Sequence, residues 1–288
     1  MIRKRVLLVG SQSTLGRILL CRLATERRVS VITSSRTQGD VPIELEGPIA
    51  LESQLEILRT CETVIMTAAD FGGPSLDDFV RAHRVNSLSV ARLLLAASEG
   101  ALRHLILIST VTAAYSPTSP LYSVYGLSKR RGEDLADVLC SSLNLKLSIL
   151  RVSQIYDSVG NCEKHQAAIY RILRDVQSGR GLTIFGSRDP VRNYIHIDDV
   201  VDLIVRILTE ETAGKWECAN PKSTSLVQIA NCASKHLGIE LPIEFDHSRP
   251  DLADVEVGAW PNAFECLGFA PPRDICVGIR EMLMAQMS

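Results

Sequence analysis

A short apolar run that stops at a glycine and restarts as a helix constrains this chain more than any other stretch. Arg5-Val6-Leu7-Leu8-Val9 reads as a strand buried on both faces of a parallel sheet. Gly10-Ser11-Gln12-Ser13-Thr14-Leu15-Gly16 follows, and Arg17 to Leu23 has helical spacing. A strand, a tight turn and a helix in that order present backbone N–H groups at a helix N-terminus, where a pyrophosphate is favoured. Gly10 suits the tight turn and Gly16 the close packing of helix on strand. Ser13 stands where the common pattern has its middle glycine. Its Cβ narrows the approach to a phosphate. The candidate cofactor contacts here are Gly10, Ser13, Thr14, Leu15 and Gly16.

The same alternation continues. Val29-Ser30-Val31-Ile32-Thr33 is the next strand and ends in Ser34-Ser35-Arg36. A free ribose 2′-OH calls for a carboxylate at that place. Hydroxyls and a guanidinium suit a 2′-phosphate instead, through charge-assisted bonding, so NADP is expected over NAD. A third strand is expected just before Gly47-Pro48. Glu52 to Arg59 is helical. Thr63 to Ala69 is the fourth strand, and its small ending, including Ala68 and Ala69, lets a cofactor lie near the backbone. Leu76 to Ser98 reads as one long helix containing Asn86. Leu105 to Ile108 and Lys146 to Arg151 are the fifth and sixth strands. This alternation predicts an α/β fold with a doubly wound parallel sheet.

Composition removes several classes. Among 288 residues, 31 basic and 33 acidic side chains nearly balance, so neither a nucleic-acid nor a membrane footprint is present. Eight cysteines are scattered without a Cys-x-x-Cys and read as reduced core residues of a cytoplasmic protein. Cys162-x-x-His165 is the one tight soft-ligand pair and cannot fill a tetrahedral metal site alone. The basic and apolar start, Met1 to Val9, is too short for a signal peptide. No Gly-x-Ser-x-Gly elbow and no phosphate-binding P-loop occurs.

Tyr125-Gly126-Leu127-Ser128-Lys129 places two reactive groups four residues apart, on one face of a helix. A phenol there can give or take a proton, and an ammonium beside it is expected to lower its pKa.

With Gly10-x-x-Ser13-x-x-Gly16, Thr67-Ala68-Ala69, Ser109-Thr110, Tyr125-x-x-x-Lys129, Arg151-x-x-Gln154-x-Tyr156, Ile184-Phe185-Gly186 and Arg192 to Val200 in this order, the chain resembles the extended short-chain dehydrogenase/reductases. These form the epimerase/dehydratase family, which includes nucleotide-sugar 4-epimerases and 4-ketoreductases. The resemblance runs from residue 5 to the last helix, Ile275 to Met284. It implies a Rossmann-type domain over 1–155, to which 193–210 return. It also implies a smaller, interleaved substrate-binding domain over 156–192 and 211–288, closing over the carboxyl ends of the strands.

The resemblance assigns roles residue by residue. Thr110 would bond the reacting oxygen, with Thr112 as a second hydroxyl near the substrate. Tyr125 would exchange the proton, and Lys129 would bind the nicotinamide ribose and tune the tyrosine. Arg192 would grip a substrate diphosphate, and Gln154 stands where the family usually has a substrate-contacting Asn. Asp198 or Asp199 would cap the helix from Val200 to Leu208, and His196 would serve helix entry or packing. Arg249-Pro250-Asp251 and Leu267-Gly268-Phe269-x-Pro271 resemble the family's tail. Asp157 replaces a usual glycine after Tyr156, so that loop is expected to take another path.

Val111-Thr112 occupies the positions where related dehydratases and decarboxylases carry carboxylates, and no cysteine lies between Thr110 and Tyr125. Two chemistries then remain. The expected activity is NADP-dependent 4-keto reduction of a nucleoside-diphosphate sugar, with 4-epimerisation as the alternative and a non-catalytic NAD(P)-binding scaffold or sensor as an alternative of another class. A homodimer through the helices near 77–98 and 120–140 is implied by the family, with no nucleic-acid or membrane partner.

Overall fold

Local sequence sets the elements of the first half. The computed structural model describes residues 3–47, 52–270 and 272–285, so Pro48 and Pro271 lie outside the described residues. The apolar runs form β1 (Lys4–Val9), β2 (Val29–Ser34), β3 (Thr63–Met66), β4 (His104–Thr110) and β5 (Lys146–Val152). Between them lie α1 (Thr14–Leu23), α2 (Glu52–Arg59), α3 (Leu76–His83), α4 (Ser89–Ser98) and α5 (Val124–Ser142). The later chain adds β6 (Gln154–Tyr156), α6 (Ala167–Gln177), β7 (Leu182–Phe185), β8 (Val191–Arg192), β9 (Tyr194–His196) and α7 (Ile197–Glu210). It ends with β10 (Gly214–Cys218), β11 (Thr224–Ser225), α8 (Leu226–Leu237), β12 (Ile243–Asp246), α9 (Ala263–Cys266) and α10 (Ile275–Ala285).

The main sheet is parallel and six-stranded, in the order β10-β5-β4-β3-β1-β2. From β1 the chain builds outward to β2, then crosses back and continues from β3 in the opposite direction. The order therefore reverses between β1 and β3, where a crevice opens at the strands' carboxyl ends. Val6, Leu7, Leu8, Ile65, Leu105 and Ile106 are fully buried in the sheet, as the apolar runs require.

Two expectations change here. The third strand before Gly47 is absent among the described residues. Only two N–H groups of that segment, from Val41 and Ile43, reach the carbonyls of Thr33 and Ser35, at 3.1 and 3.0 Å. Their side chains are buried, but the segment is held as a loop against β2. The long helix from Leu76 is interrupted by a π-helical turn at Arg84–Leu88, centred on Asn86.

The chain divides into two compact units, residues 1–151 with 201–216, and 152–200 with 217–288. In the second, β6 pairs with β9, β7 with β12 and β8 with β11. Asp157, the replacement for glycine, organises its loop. Its carboxylate accepts from Tyr170 Oη at 2.5 Å, from the Cys162 N–H at 3.0 Å, and from both the N–H and the side-chain amide of Asn161 at 3.0 and 2.9 Å. Burial alone would raise its pKa, but these bonds outweigh it and hold the carboxyl below its usual range.

The expected helix cap is also different. α7 begins at Ile197, so Asp198 and Asp199 lie in its first turn. The His196 ring accepts the Asp198 N–H at 3.2 Å, while Asp199 accepts the Arg273 N–H at 2.8 Å. The cysteines are not all reduced either: Cys232 and Cys276 form a disulfide, and the other six are free. No helix among the described residues is long and apolar enough to cross a membrane.

Candidate active site

The crevice between β1 and β3 is lined by backbone. Thr67 and Ala68 donate to the Val9 carbonyl at 2.9 and 3.2 Å, and Gly10 turns away with φ +87°. A Cβ on Gly10 would lie 2.5 Å from the Ala68 nitrogen, and one on Gly16 would drive into the Gly10 carbonyl. Only glycine fits at either place. Ser13 is the N-cap of α1, its hydroxyl accepting the Gly16 N–H at 3.0 Å and donating to Thr67 Oγ1 at 3.3 Å. The serine in the glycine pattern thus has a local use in starting the helix. The first turn of α1, with Thr14 and Leu15, contains no acidic residue, which suits an anion at its N-terminus.

Around β2 the Ser34 carbonyl accepts from the Gly10 and Ser11 N–H groups at 2.9 and 3.0 Å, tying the glycine turn to the strand end. The Ser34 hydroxyl is buried without a partner among the described residues. Ser35 exchanges hydrogen bonds with the backbone of Gln38, and Arg36 is exposed. Asp40 folds back on Thr33, accepting its N–H at 2.8 Å and its hydroxyl at 2.9 Å. A glycine-lined turn, an anion-compatible helix start and an orphaned hydroxyl beside them fit a dinucleotide.

α5 is capped by Ser123, whose hydroxyl accepts the Gly126 N–H at 3.2 Å. Its buried face is polar, with Ser128, Lys129 and Glu133 among the small residues Gly126, Gly132 and Ala136. Lys129 is 4% exposed. Its ammonium donates to the carbonyls of Ala68 at 3.1 Å and Ile108 at 3.0 Å, linking α5 to the ends of β3 and β4. Burial brings its pKa down to about 8, with Glu133 acting the other way. Ala69, next to Ala68, is exposed.

Tyr125 is half-buried, and its ring stacks on Phe71 with centroids 4.7 Å apart. Its pKa is not lowered as the sequence suggests. Burial pushes it up, because a phenolate loses hydration there. The phenol is therefore held protonated.

The hydroxyls at the end of β4 separate by role. Ser109 donates to Glu133 at 2.5 Å, whereas Thr110 lies 3.1 Å from Thr112, hydroxyl to hydroxyl, and accepts the Thr112 N–H at 3.2 Å. Thr110 caps the short 3₁₀ turn Val111–Ala114, against which α5 packs. Asn86 in the π turn bonds the Asp70 carbonyl at 2.6 Å and Ser128 Oγ at 2.9 Å, and accepts the Asp70 N–H at 2.9 Å. It thereby fixes the segment carrying Phe71. In the sequence Asn86 carries no evident role, and Phe71 and Glu133 do not stand out. The signal for Glu133 is its position, four residues past Lys129 on the same helix face.

Gln154 and Arg192 belong to the second unit. The Gln154 amide donates to Gln166 Oε1 at 3.0 Å, and its own oxygen is buried without a partner among the described residues. Arg192 Nη1 donates to the carbonyls of Val191 at 2.8 Å and Ala253 at 2.6 Å. Arg249 lies 4.2 Å over the Phe185 ring. Among the described residues no three His, Cys, Asp or Glu side chains gather as a metal site. Burial pushes the Cys162 thiol up, away from the thiolate a metal needs.

A parallel sheet with its switch point at a glycine turn, and a Tyr-x-x-x-Lys helix at the ends of β3 and β4, define a dinucleotide-binding fold of the short-chain dehydrogenase/reductase type. Residues 6–219 match the NAD dependent epimerase/dehydratase family, and the chain belongs to it. The dTDP-glucose 4,6-dehydratase of Mycolicibacterium smegmatis is 28% identical over 56% of this chain and 47% of its own length. The UDP-glucose 4-epimerase of the same organism is 25% identical, over 71% and 69%. The first curated relatives are matched over about half of their length or less. The crystal structure of a Bacillus cereus UDP-glucuronic acid 4-epimerase in complex with NAD superimposes with a TM-score of 0.74 at 20% identity, covering 98% of this chain and 99% of that one. That likeness establishes the fold.

Proposed function

We propose that this protein is a nicotinamide-dependent enzyme that reduces the 4-keto group of a nucleoside-diphosphate sugar, with Tyr125 as proton donor. The observation that carries the reading is the pairing of Tyr125 and Lys129 on α5 with a hydroxyl, Thr110, at the end of β4, while Val111 and Thr112 beside it offer no carboxylate. Such a site serves one oxygen and leaves the acid–base chemistry of a C–H bond unserved.

The dinucleotide, bound along Gly10, Ser13, Thr14, Leu15 and Gly16, supplies the hydride. Thr110, with Thr112, orients the substrate oxygen. Tyr125 keeps its proton until negative charge develops on that oxygen, since burial makes its own ionisation unfavourable. Lys129 has two of its three N–H groups on carbonyls and directs the third, with its charge, to the ribose. Gln154 and Arg192 of the second unit serve the sugar and the diphosphate. Arg36, exposed after β2, supports NADP through a 2′-phosphate contact. Exposed Leu88, Leu95 and Val138 on and beside α4 and α5 support a homodimer through those helices.

A second reading, 4-epimerisation with NAD, uses the same three groups and draws support from the epimerases among the relatives. One experiment separates them: incubation with NADPH or NADH and a panel of nucleoside-diphosphate 4-keto sugars, and in parallel with UDP-glucose, followed by product NMR. Stoichiometric cofactor oxidation with a 4-hydroxyl product is expected. Interconversion of UDP-glucose without net cofactor consumption assigns the epimerase reading. Absence of both turnover and dinucleotide binding assigns the scaffold.

A further inference from the structure

Cys232 lies within α8 and Cys276 in the first turn of α10, and their Cα atoms are 5.3 Å apart across the bond. That spacing is ordinary for a disulfide. Cys276 is exposed and Cys232 half-buried. Both line a cavity of about 310 Å³ together with Lys222, Asn231 and Asp274. A structural bridge is normally sealed from solvent, but this one is open and has room beside it for a small molecule.

The packing of α10 does not depend on the bond. Its Gly278, Ile279, Met282 and Leu283 are buried. Ahead of the helix, the Arg273 N–H donates to Asp199 at 2.8 Å, and the Asn220 amide donates to the Arg273 carbonyl at 3.3 Å. Opening the bond is therefore expected to leave the helix docked and to free the Cys276 side chain at its start.

We propose that Cys232–Cys276 is a reversible thiol–disulfide exchange site that takes a small anionic thiol of the glutathione class in the adjoining cavity, and so couples the first turn of α10 to the surrounding redox balance. The thiolate attacks the exposed Sγ of Cys276. The protein S–S bond breaks, its electron pair leaves on Cys232 Sγ, and that sulfur takes a proton from water. A second thiolate attacks the glutathione sulfur of the mixed disulfide and releases Cys276 as a thiolate. Two electrons pass from two thiols to the protein, and the thiols leave as their own disulfide. Oxidised glutathione runs the sequence backwards.

The surroundings favour these steps. Lys222 attracts the incoming anion. The N-terminal turn of an eleven-residue helix stabilises Cys276 as the leaving thiolate. The Asp274 carboxylate in the same wall accepts the Cys276 N–H at 2.9 Å and partly offsets that field.

The test is equilibration of the folded protein in glutathione mixtures from fully oxidised to fully reduced, quenching with an alkylating agent, and peptide mass spectrometry of Cys232 and Cys276. The linked form is expected to predominate at the oxidised end, to disappear at the reduced end, and to return on re-oxidation. Near-UV circular dichroism should stay native throughout. Cys232→Ser is expected to carry a glutathione adduct on Cys276 under oxidised glutathione, and Cys232→Ala serves if the serine variant misfolds. Failure of the link to form, a link that survives excess reduced glutathione, or an unmodified Cys276 in both folded variants overturns the proposal.

Discussion

Glu133 takes both ends of the Arg151 guanidinium, Nε at 3.0 Å and Nη2 at 2.6 Å, one helical turn beyond Lys129. Ser109 adds a third donor at 2.5 Å, and both charged side chains are almost fully buried. The pair joins α5 to β4 and β5 and leaves a negative charge near the Lys129 ammonium, which it supports. Removing one partner strands the other charge. Glu133→Met and Arg151→Met are each expected to lose about 3–5 kcal/mol of stability. Replacing both residues by methionine should cost less than either single change. Urea unfolding of the four proteins checks this, and additive losses would refute it.

Lys129 titrates near pH 8 because it is buried. Its folded pKa lies below the unfolded value near 10.4. Between these values the unfolded chain binds more protons, so stability rises with pH across that window, and the full burial cost applies below pH 8. Function runs the other way. The ammonium is needed for the ribose and the developing alkoxide, so turnover should fall as pH rises through about 8. Lys129→Met should abolish that alkaline limb in a kcat/KM profile.

Tyr125→Phe keeps the ring stacked on Phe71 and removes only the proton. Dinucleotide affinity should remain within about twofold and kcat should drop by about 10²–10⁴. Fluorescence titration and single-turnover rates measure the two quantities. An unchanged rate would remove Tyr125 from the chemistry.

Tyr156 is wholly buried, with its ring edge-on to Tyr194 and His196 and its hydroxyl without a partner among the described residues. Deleting that hydroxyl removes a desolvation cost. Tyr156→Phe should therefore be neutral or stabilising by about 1–2 kcal/mol. A clear drop in Tm would contradict this.

Asp157 accepts four hydrogen bonds, two on each oxygen. An amide would turn an NH₂ group toward donors, so Asp157→Asn should cost about 2 kcal/mol. The wild-type contribution is present above the unfolded carboxyl pKa and is lost as pH falls through the lower folded value, below about pH 4. Acid unfolding of both proteins tests the sign: the asparagine variant should lose less stability over that range.

The strands, the glycine turn and the Tyr-x-x-x-Lys helix are legible in the chain itself. Each is a local pattern, set by the period of apolar residues or by a backbone angle that one residue type favours. The break at Asn86 is not legible, because it is made by hydrogen bonds to Asp70 and Ser128, distant in sequence. The loop at Val41 and Ile43 is apolar enough for a strand, but it makes only two backbone bonds, to Thr33 in β2 and to Ser35 just beyond it. The same division runs through the charged groups. Sequence spacing puts Tyr125, Lys129 and Glu133 on one helix face, but it cannot say that Lys129 is spent on two carbonyls, that Glu133 belongs to Arg151, or that Cys232 finds Cys276. A pKa or a bond depends on what lies within a few ångströms and how much water is excluded. Those are properties of the packed chain, and the tertiary structure alone decides them.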